Sequence, residues 1–206
     1  MRLLHIDSSV SGENSVSRQL TRDVVAEWEK REPEFELTYR DLAARPPVPL
    51  SADTVVARQR PIQELDSAQR AERALDEELV SEFLAADVII IGAPMYNFSV
   101  PSQLKAWIDR ILIAGRTFRY GANGPEGLAG SDKRVIVVST RGGIYSSAPA
   151  SAMDHQEAYL RAAFGFIGVT EVTVIRAEGV NMGPEARMQA IASARQELRS
   201  LGRDAA

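Results

Sequence analysis

Short apolar runs that alternate with helical patterns constrain the fold of this chain more than any other feature. The run Asp87 to Gly92 (DVIIIG) is nearly all β-branched, which is typical of a strand buried on both faces of a parallel sheet. The other predicted strands are Leu3 to Ile6, the alternating residues Phe35, Leu37 and Tyr39, Val135 to Val138, and Val172 to Arg176. We therefore expect Asp87 to Gly92 to lie at the centre of one sheet.

Amphipathic helices are predicted between these strands from the spacing of the apolar residues. They cover Val16 to Lys30, Gln63 to Ala85, the segment that begins after Pro101, about Met153 to Ile167, and Pro184 to Leu201. Strands that alternate with helices form right-handed parallel crossovers, which place helices on both faces of the sheet. This predicts an α/β fold, a flavodoxin-like three-layer sandwich whose five-stranded parallel sheet has the order 2-1-3-4-5.

No internal repeat and no linker divides the chain, so residues 1–206 are predicted to form a single domain. The stretch Thr117 to Gly130 (TFRYGANGPEGLAG) is dense in glycine. It is therefore expected to be an irregular excursion from the fold, with a hairpin as one possibility.

Composition limits the partners and the compartment. The net charge of -4, without a cluster of Lys and Arg, argues against nucleic acid or an anionic membrane as the main partner. The absence of cysteine excludes disulfides and thiolate chemistry and suits a reducing compartment. The start MRLLHIDSS is too short an apolar run for a signal peptide, and no later run approaches a membrane span. These features predict a cytoplasmic protein.

Three unusual loops follow the predicted first, third and fourth strands. They read DSSVSGENSVSR, APMYNFSVP and TRGGIYS. In a doubly wound sheet, ligands bind at the carboxyl ends of the strands, beside the point where the strand order reverses. The topology therefore brings these three loops together at one edge of the sheet.

The first loop has the composition of an anion site. Ser9, Ser15 and Ser17 surround the start of the first predicted helix, where free backbone N–H groups favour a phosphate. Capping of that helix by Ser15 is an equally good explanation of the serines, because caps are common. Arg18 taken alone is expected to be a solvated helix residue.

The other two loops have the composition of a site for a planar ring. Tyr96 and Phe98 offer faces or edges to a ring, while the Asn97 amide can donate and accept at a heterocycle edge. The glycines Gly142 and Gly143 permit close approach of the backbone. The alternatives are a core plug or a dimer contact for the apolar loop, and an ordinary turn for the glycines. Together with a phosphate site, the loops describe a mononucleotide with a flat polar heterocycle, such as FMN.

The chain resembles a known enzyme family over essentially its whole length. The stretches HIDSSVSGENSVSRQLT, APMYNFSVPSQLKAWIDRILIAGRTFRY and VVSTRGGIYS are similar to the FMN-dependent NADH azoreductase and NAD(P)H:quinone reductase family. The resemblance implies FMN as the cofactor, bound by Ser9, Ser15, Val16, Ser17, Met95, Tyr96, Asn97, Phe98, Thr140, Arg141, Gly142 and Gly143. Val16 and Thr140 stand where relatives often have Gln and Ser, so a Gln side-chain contact is absent here.

The resemblance also implies the reaction and the assembly. A hydride passes from NADH or NADPH to flavin N5, and a quinone or azo compound then takes the place of the nicotinamide in a ping-pong cycle. No side chain is an obligatory acid or base, and Asn97 tunes the ring. The family is dimeric, with aromatic residues of one subunit near the flavin of the other. Tyr120 and Phe164 are the candidates for that role beside the substrate.

Other functions fit the residues less well. A dinucleotide-binding enzyme needs G-x-G-x-x-G after the first strand, and a serine hydrolase needs a G-x-S-x-G elbow, and neither motif occurs. A phosphate-receiver domain needs an acceptor Asp where this chain has MYNF. Two scattered histidines without cysteine argue against a metal site. A flavodoxin-type electron carrier, with the same fold and cofactor but no NADH oxidation of its own, remains the alternative.

Overall fold

The protein contains one five-stranded parallel sheet and a separate two-stranded hairpin, as seen in a computed structural model that describes residues 1–201. Residues 202–206, the end of the predicted 1–206 domain, lie outside the described part of the chain. The sheet strands are β1 (Arg2–Asp7), β2 (Glu36–Asp41), β3 (Val88–Pro94), β6 (Arg134–Arg141) and β7 (Glu171–Glu178), and the hairpin strands are β4 (Phe118–Gly121) and β5 (Gly124–Gly127).

The strand order is β2-β1-β3-β6-β7. The predicted order 2-1-3-4-5 is corrected on this point, because the two hairpin strands β4 and β5 are inserted in the chain between the third and fourth strands of the sheet. The five-stranded parallel sheet of the flavodoxin-like prediction is confirmed. The order reverses at β1, so the carboxyl ends of β1 and β3 flank the switch point.

Residues 1–201 contain six α-helices, five of them between strands and one after the last strand, and one of the six was not predicted. They are α1 (Val16–Glu29), α2 (Ala52–Gln59), α3 (Ser67–Ala85), α4 (Ser102–Ile111), α5 (Glu157–Phe166) and α6 (Pro184–Leu201). The unpredicted helix α2 starts where Ser51 and Thr54 form a capping box. A second capping box, between Asp66 and Gln69, starts α3 later than the predicted Gln63.

Both faces of the sheet are covered, as the alternating side chains of β3 show. Ile89 and Ile91 point into one core with Trp107 of α4, whereas Val88 and Ile90 point into the other core. Helices α3, α4 and α5 contribute to the first core, and α1 and α6 contribute to the second. A strand buried in this way on both sides has no polar face, which accounts for its unbroken β-branched run.

The hairpin lies at the amino edge of the sheet, away from the switch point. Both α4 and α5 begin at the carboxyl edge and run back to the amino edge, and the hairpin follows the end of α4. The Ala129 amide donates to the Ile167 carbonyl at 2.9 Å, and a Cβ on Gly127 would lie 2.1 Å from the Gly168 nitrogen. The hairpin is therefore packed against the end of α5, and only glycine fits at position 127.

Within residues 1–201, no helix combines the length and the apolar character needed to cross a bilayer.

Candidate functional site

The loops after β1, β3 and β6 meet at the carboxyl edge of the sheet. Neighbouring registers bring Asp7 beside Gly92 and Gly92 beside Val138. Beyond the paired strands, the Met95 amide donates to the Thr140 carbonyl at 2.8 Å. Three segments of the predicted loops, which we call the phosphate loop (residues 8–18), the ring loop (residues 95–100) and the glycine loop (residues 140–146), are therefore neighbours in the folded chain.

Ser15 is the N-cap of α1, but it does not occupy all the free N–H groups in the first turn of the helix. Its hydroxyl accepts from the Arg18 amide at 3.3 Å and lies 3.0 Å from the Ser17 hydroxyl. The N–H groups of Val16 and Ser17 have no acceptor within residues 1–201. Capping and anion binding thus coexist here, because the cap satisfies one amide of the first turn and leaves two for a ligand.

Arg18 is buried, contrary to the expectation of a solvated helix residue. The residue is 7% exposed, and its guanidinium donates to the Ser9 carbonyl from Nε at 3.3 Å and from Nη2 at 2.9 Å. The same group faces the Asp41 carboxylate in two hydrogen bonds of 2.7 Å. The paired carboxylate raises the pKa of Arg18, and Arg18 in turn lowers the pKa of Asp41. Arg18 thus fixes the backbone of the phosphate loop.

A second carboxylate, which is buried, supports the same region. Asp7 accepts from the Thr21 hydroxyl at 2.9 Å and from the Tyr39 hydroxyl at 3.1 Å. Burial and the charge of Asp7 raise the pKa of Tyr39 to about 12. The His5 Nε2 lies 3.5 Å from Asp7 Oδ2, and His5 and Asp7 are both buried beneath the loop. These groups join β1, β2 and α1 below the predicted phosphate site.

The ring loop is a tight turn with a strained backbone. Tyr96 and Ser99 exchange backbone hydrogen bonds of 3.0 and 3.1 Å around Asn97 and Phe98. Both central residues have left-handed backbones, with φ of 48° and 71°, although neither is glycine. The His155 amide donates to the Phe98 carbonyl at 3.0 Å, and Phe98 is 43% exposed. Strain of this kind clusters at ligand sites, since it points side chains where a relaxed turn would not.

Hydrogen bonds join the ring loop and the start of α4 to the phosphate loop. The Tyr96 hydroxyl lies 3.3 Å from the Ser9 hydroxyl and accepts from the Val10 amide at 3.2 Å. Gln103 Nε2 donates to the Ser8 carbonyl at 2.5 Å, and the Ser8 hydroxyl donates to the Gly92 carbonyl at 2.6 Å. The two loops are therefore built as one unit.

The glycine loop turns its carbonyl groups away from the other two loops. The carbonyls of Arg141, Gly142 and Gly143 accept from the backbone amides of residues 180, 181 and 179, at 2.9 to 3.1 Å. The N–H groups of Gly142 and Gly143 donate to no acceptor within the described chain. This loop can therefore offer two amide donors to the polar edge of a heterocycle.

The Arg141 side chain is buried in a network of ion pairs, so its predicted part in cofactor binding stays a prediction for the backbone of the glycine loop. It is 1% exposed and forms ion pairs with Glu157, with Glu178 at 3.1 Å and with Asp154 at 3.0 Å. Glu178 also accepts from the Tyr145 amide at 2.8 Å. Burial alone would raise the pKa of Glu178, but hydrogen bonds from Ser146, Tyr145 and Arg141 hold that pKa below its ordinary value. The network fixes the path of the glycine loop.

The two predicted substrate residues lie in different environments, and neither is near the three loops. Phe164 is fully buried and stacks on Phe83 in the core with ring centroids 6.3 Å apart, so its prediction as a substrate residue is wrong. The exposed aromatic of the AAFGF stretch is Phe166, 4.7 Å from the Phe118 ring. Tyr120 is 75% exposed on the hairpin at the opposite edge of the sheet.

Sequence reasoning missed the residues that support the loops. Asp41, Gln103, Glu157 and Glu178 hold loop groups from other elements, and their types and spacing carry no signal of this role. Gln156 is also buried, where it accepts from the Ser139 hydroxyl at 2.5 Å and donates to the Ala93 carbonyl. Within residues 1–201, no group of three or more His, Asp or Glu side chains could hold a metal ion.

Known proteins resemble this chain over the whole of its described length. A family model for the flavodoxin-like fold matches residues 1–201. An FMN-dependent NADH:quinone oxidoreductase of Azospirillum brasilense is 57% identical, over 98% of this chain and 97% of the relative. An FMN-dependent NADH:quinone oxidoreductase 2 of Pseudomonas aeruginosa is 53% identical, over 96% of each. The crystal structure of an azoreductase from Bacillus anthracis superposes with a TM-score of 0.90 at 25% identity, over 98% of both chains.

Proposed function

The chain belongs to the family of flavodoxin-like fold, and from that premise we propose that it is an FMN-dependent oxidoreductase that takes a hydride from NADH and reduces quinones and azo compounds. The observation that carries the proposal is the joining of the predicted phosphate and ring loops through Ser9, Val10 and Tyr96 at the switch point of the sheet. The relatives more than half identical to this chain are named for FMN, NADH and quinone.

The phosphate end of FMN fits the first loop. Two free N–H groups at the start of α1 and the hydroxyls of Ser9, Ser15 and Ser17 offer donors where the helix dipole favours an anion. Arg18 and Gln103 bind the carbonyl oxygens of Ser9 and Ser8, which would otherwise compete with a phosphate for donors. The site therefore presents donors to the ligand, as a phosphate requires.

The ring of FMN fits the other two loops. Met95, Tyr96, Asn97 and Phe98 would line the isoalloxazine, and Thr140, Gly142 and Gly143 would approach its pyrimidine edge through the backbone. No cysteine is present, so the flavin cannot be attached through a thioether, and the loops would bind it through hydrogen bonds and ring contacts. The orphan amides of Gly142 and Gly143 are the matching donors for the carbonyl oxygens of a flavin.

The protein's part in the reaction is to bind, orient and stabilise charge. Bound FMN supplies the two-electron chemistry, by taking a hydride from NADH and passing it to a quinone or azo compound. The Gly142 and Gly143 amides favour negative charge at the ring edge because they are held in place before the reaction. Asn97 and Phe98 border the open side of the site, where nicotinamide and the second substrate would alternate.

Direct reduction by NADH separates this function from an electron carrier. The purified protein should carry flavin, and anaerobic addition of NADH alone should bleach its visible absorbance within the time of mixing. A quinone added afterwards should restore the absorbance. Flavin that stays oxidised with NADH but accepts electrons from a separate reductase would support the carrier instead, and a chain that binds no FMN would overturn both. The same experiment with NADPH gives the nucleotide preference.

A homodimer completes the proposal. Phe118, Tyr120 and Phe166 form an aromatic patch at the amino edge of the sheet, with centroids 5.6 and 4.7 Å apart, and Tyr120 is too exposed to serve its own core. A two-fold contact could place Tyr120 of one subunit over the open side of the other subunit's site. Sedimentation tests this directly, since a monomer with full turnover would rule the contact out.

The remaining assignments belong with this function. We propose that residues 1–206 act as one FMN-binding unit in the cytoplasm. The cores on the two faces of the sheet share its strands and support the first point, and the lack of cysteine supports the second. Limited proteolysis and fractionation of the source cells test the two points separately.

A further inference from the structure

The hydroxyl of Ser9 is buried and has two hydrogen-bond partners within the protein. Ser9 is 2% exposed, and its Oγ accepts from the Ser11 amide at 3.3 Å. The Tyr96 hydroxyl, from the ring loop, lies 3.3 Å from the same oxygen. No protein acceptor for the Ser9 hydrogen other than Tyr96 exists within residues 1–201. The direction of the Ser9–Tyr96 hydrogen bond therefore decides where the Ser9 hydrogen points.

The partners of Tyr96 determine that direction once an anion is bound. The Val10 amide can only donate, so the Tyr96 oxygen accepts from it at 3.2 Å. If Tyr96 then donates to Ser9, the two lone pairs of Ser9 are occupied by Tyr96 and Ser11, and the Ser9 hydrogen is free for an anion. The opposite direction leaves the phenol hydrogen without a protein acceptor within residues 1–201 and turns a serine lone pair toward the negative charge.

The neighbouring contacts act in the same sense. Arg18 and Gln103 bind the carbonyl oxygens of Ser9 and Ser8, so the backbone turns no acceptor of these two residues toward the anion. Tyr96 differs from these residues because it belongs to the ring loop, next to Asn97. It therefore connects the contact to the phosphate with the contact to the ring.

We propose that Tyr96 is a positioning residue that orients the Ser9 hydroxyl as a donor to the cofactor phosphate and so couples the phosphate site to the ring site. The proposal rests on the proposed function, since it takes FMN as the ligand. It assigns Tyr96 a role that flanking the ring does not require, because only the phenolic oxygen is needed for it.

Flavins with and without the phosphate separate the two roles. Tyr96→Phe keeps the aromatic ring and removes the hydroxyl. The dissociation constants of FMN and riboflavin are measured by flavin fluorescence on the full-length chain. The affinity for FMN divided by the affinity for riboflavin then reports the phosphate contact alone. We expect this ratio to fall about threefold to tenfold in the variant, which corresponds to the loss of one hydrogen bond.

The control is Tyr159→Phe, which makes the same change in a residue that lines the same cavity. That cavity, of about 420 Å³, also contacts Tyr96 and Lys105. The Tyr159 hydroxyl makes no hydrogen bond within the described chain, so its variant should keep the wild-type ratio. In a Ser9→Ala background, Tyr96→Phe should have little further effect, because its target hydroxyl is already absent.

Two results would overturn the assignment. The first is an unchanged ratio of FMN affinity to riboflavin affinity in Tyr96→Phe, and if both affinities fall by the same factor, Tyr96 is a ring contact only. Full additivity of Tyr96→Phe and Ser9→Ala is the second, because it would show that Tyr96 acts by another route. A wild-type chain that binds neither flavin would instead refute the proposed function, and this assignment with it.

Discussion

The guanidinium of Arg18 and the carboxylate of Asp41 face each other in a bidentate pair, with both N–O distances at 2.7 Å. Arg18 lies in the first turn of α1 and Asp41 ends β2, so the pair closes the edge of the sheet beneath the phosphate loop. Because the same guanidinium also holds the Ser9 carbonyl, the geometry of a ligand loop depends on a contact made outside that loop.

Asp41→Asn should lower both stability and FMN affinity, and the loss of stability should depend on pH. Arg18 and the amides of Ala43 and Ala44 lower the pKa of Asp41 below its ordinary 3.8. The stabilisation is therefore complete above the unfolded pKa and is lost as the pH falls through the folded value. Urea unfolding should show a difference of about 1 to 3 kcal/mol at neutral pH that shrinks below pH about 4.

A surface pair provides the comparison for this experiment. Asp23 binds Arg195 at 2.8 Å, but both side chains are more than a third exposed. Asp23→Asn should change stability by less than about 1 kcal/mol and leave FMN binding intact. If both variants behave alike, the Arg18–Asp41 pair is no more than a surface contact.

Gly143→Ala should weaken FMN binding without harming the fold. A Cβ at this position would meet only the Tyr145 ring, at 3.4 Å, and the backbone of Gly143 is not left-handed. The methyl group would instead occupy the space through which the ring edge approaches the amide. We expect FMN affinity to fall about tenfold, with the melting temperature unchanged or slightly raised. Gly165→Ala, with open space around its Cβ, is the matched control, and equal FMN affinity in both variants would contradict close approach at Gly143.

Two substitutions of Asn97 should separate its amide from its backbone. Asn97→Ala removes the amide and places alanine at φ of 48°, which costs about 1 kcal/mol relative to Asn97→Gly. Both variants should weaken the flavin or shift its reduction potential, whereas only the alanine variant should lose thermal stability. A potential and an affinity that match the wild type in both would limit Asn97 to its place in the turn.

Phe164→Ala should lower stability, whereas Tyr120→Ala should leave stability nearly unchanged and act on the substrate site instead. Phe164 is fully buried, so its truncation should cost about 3 to 5 kcal/mol in unfolding free energy. Tyr120 is 75% exposed, so its truncation should change stability by no more than about 0.5 kcal/mol. If a second subunit presents Tyr120 to substrate, the KM for quinones should change in that variant. An unchanged KM together with an unchanged dimer would remove Tyr120 from the site.

The FMN family and its three loops were recognisable from the sequence because the signals are local. The β-branched run of β3 and the helical spacing of α1 and α4 fix which faces are buried, and parallel crossovers then place the loops at one edge. The MYNF motif is contiguous, so it can be recognised without knowing which distant residues it contacts. Even so, the strand order had to be corrected for the inserted hairpin, whose short glycine-rich strands have no periodic pattern.

The tertiary structure decided which distant side chains meet. Arg18 is an ordinary helix residue by spacing, and its burial depends on Asp41, which lies 23 positions away. Phe164 and Phe166 differ by two positions in one helix, so they point to different sides, and only packing against Phe83 shows which is core. Local patterns set the face that a residue presents, whereas its partners depend on the register and packing of segments far apart in the chain.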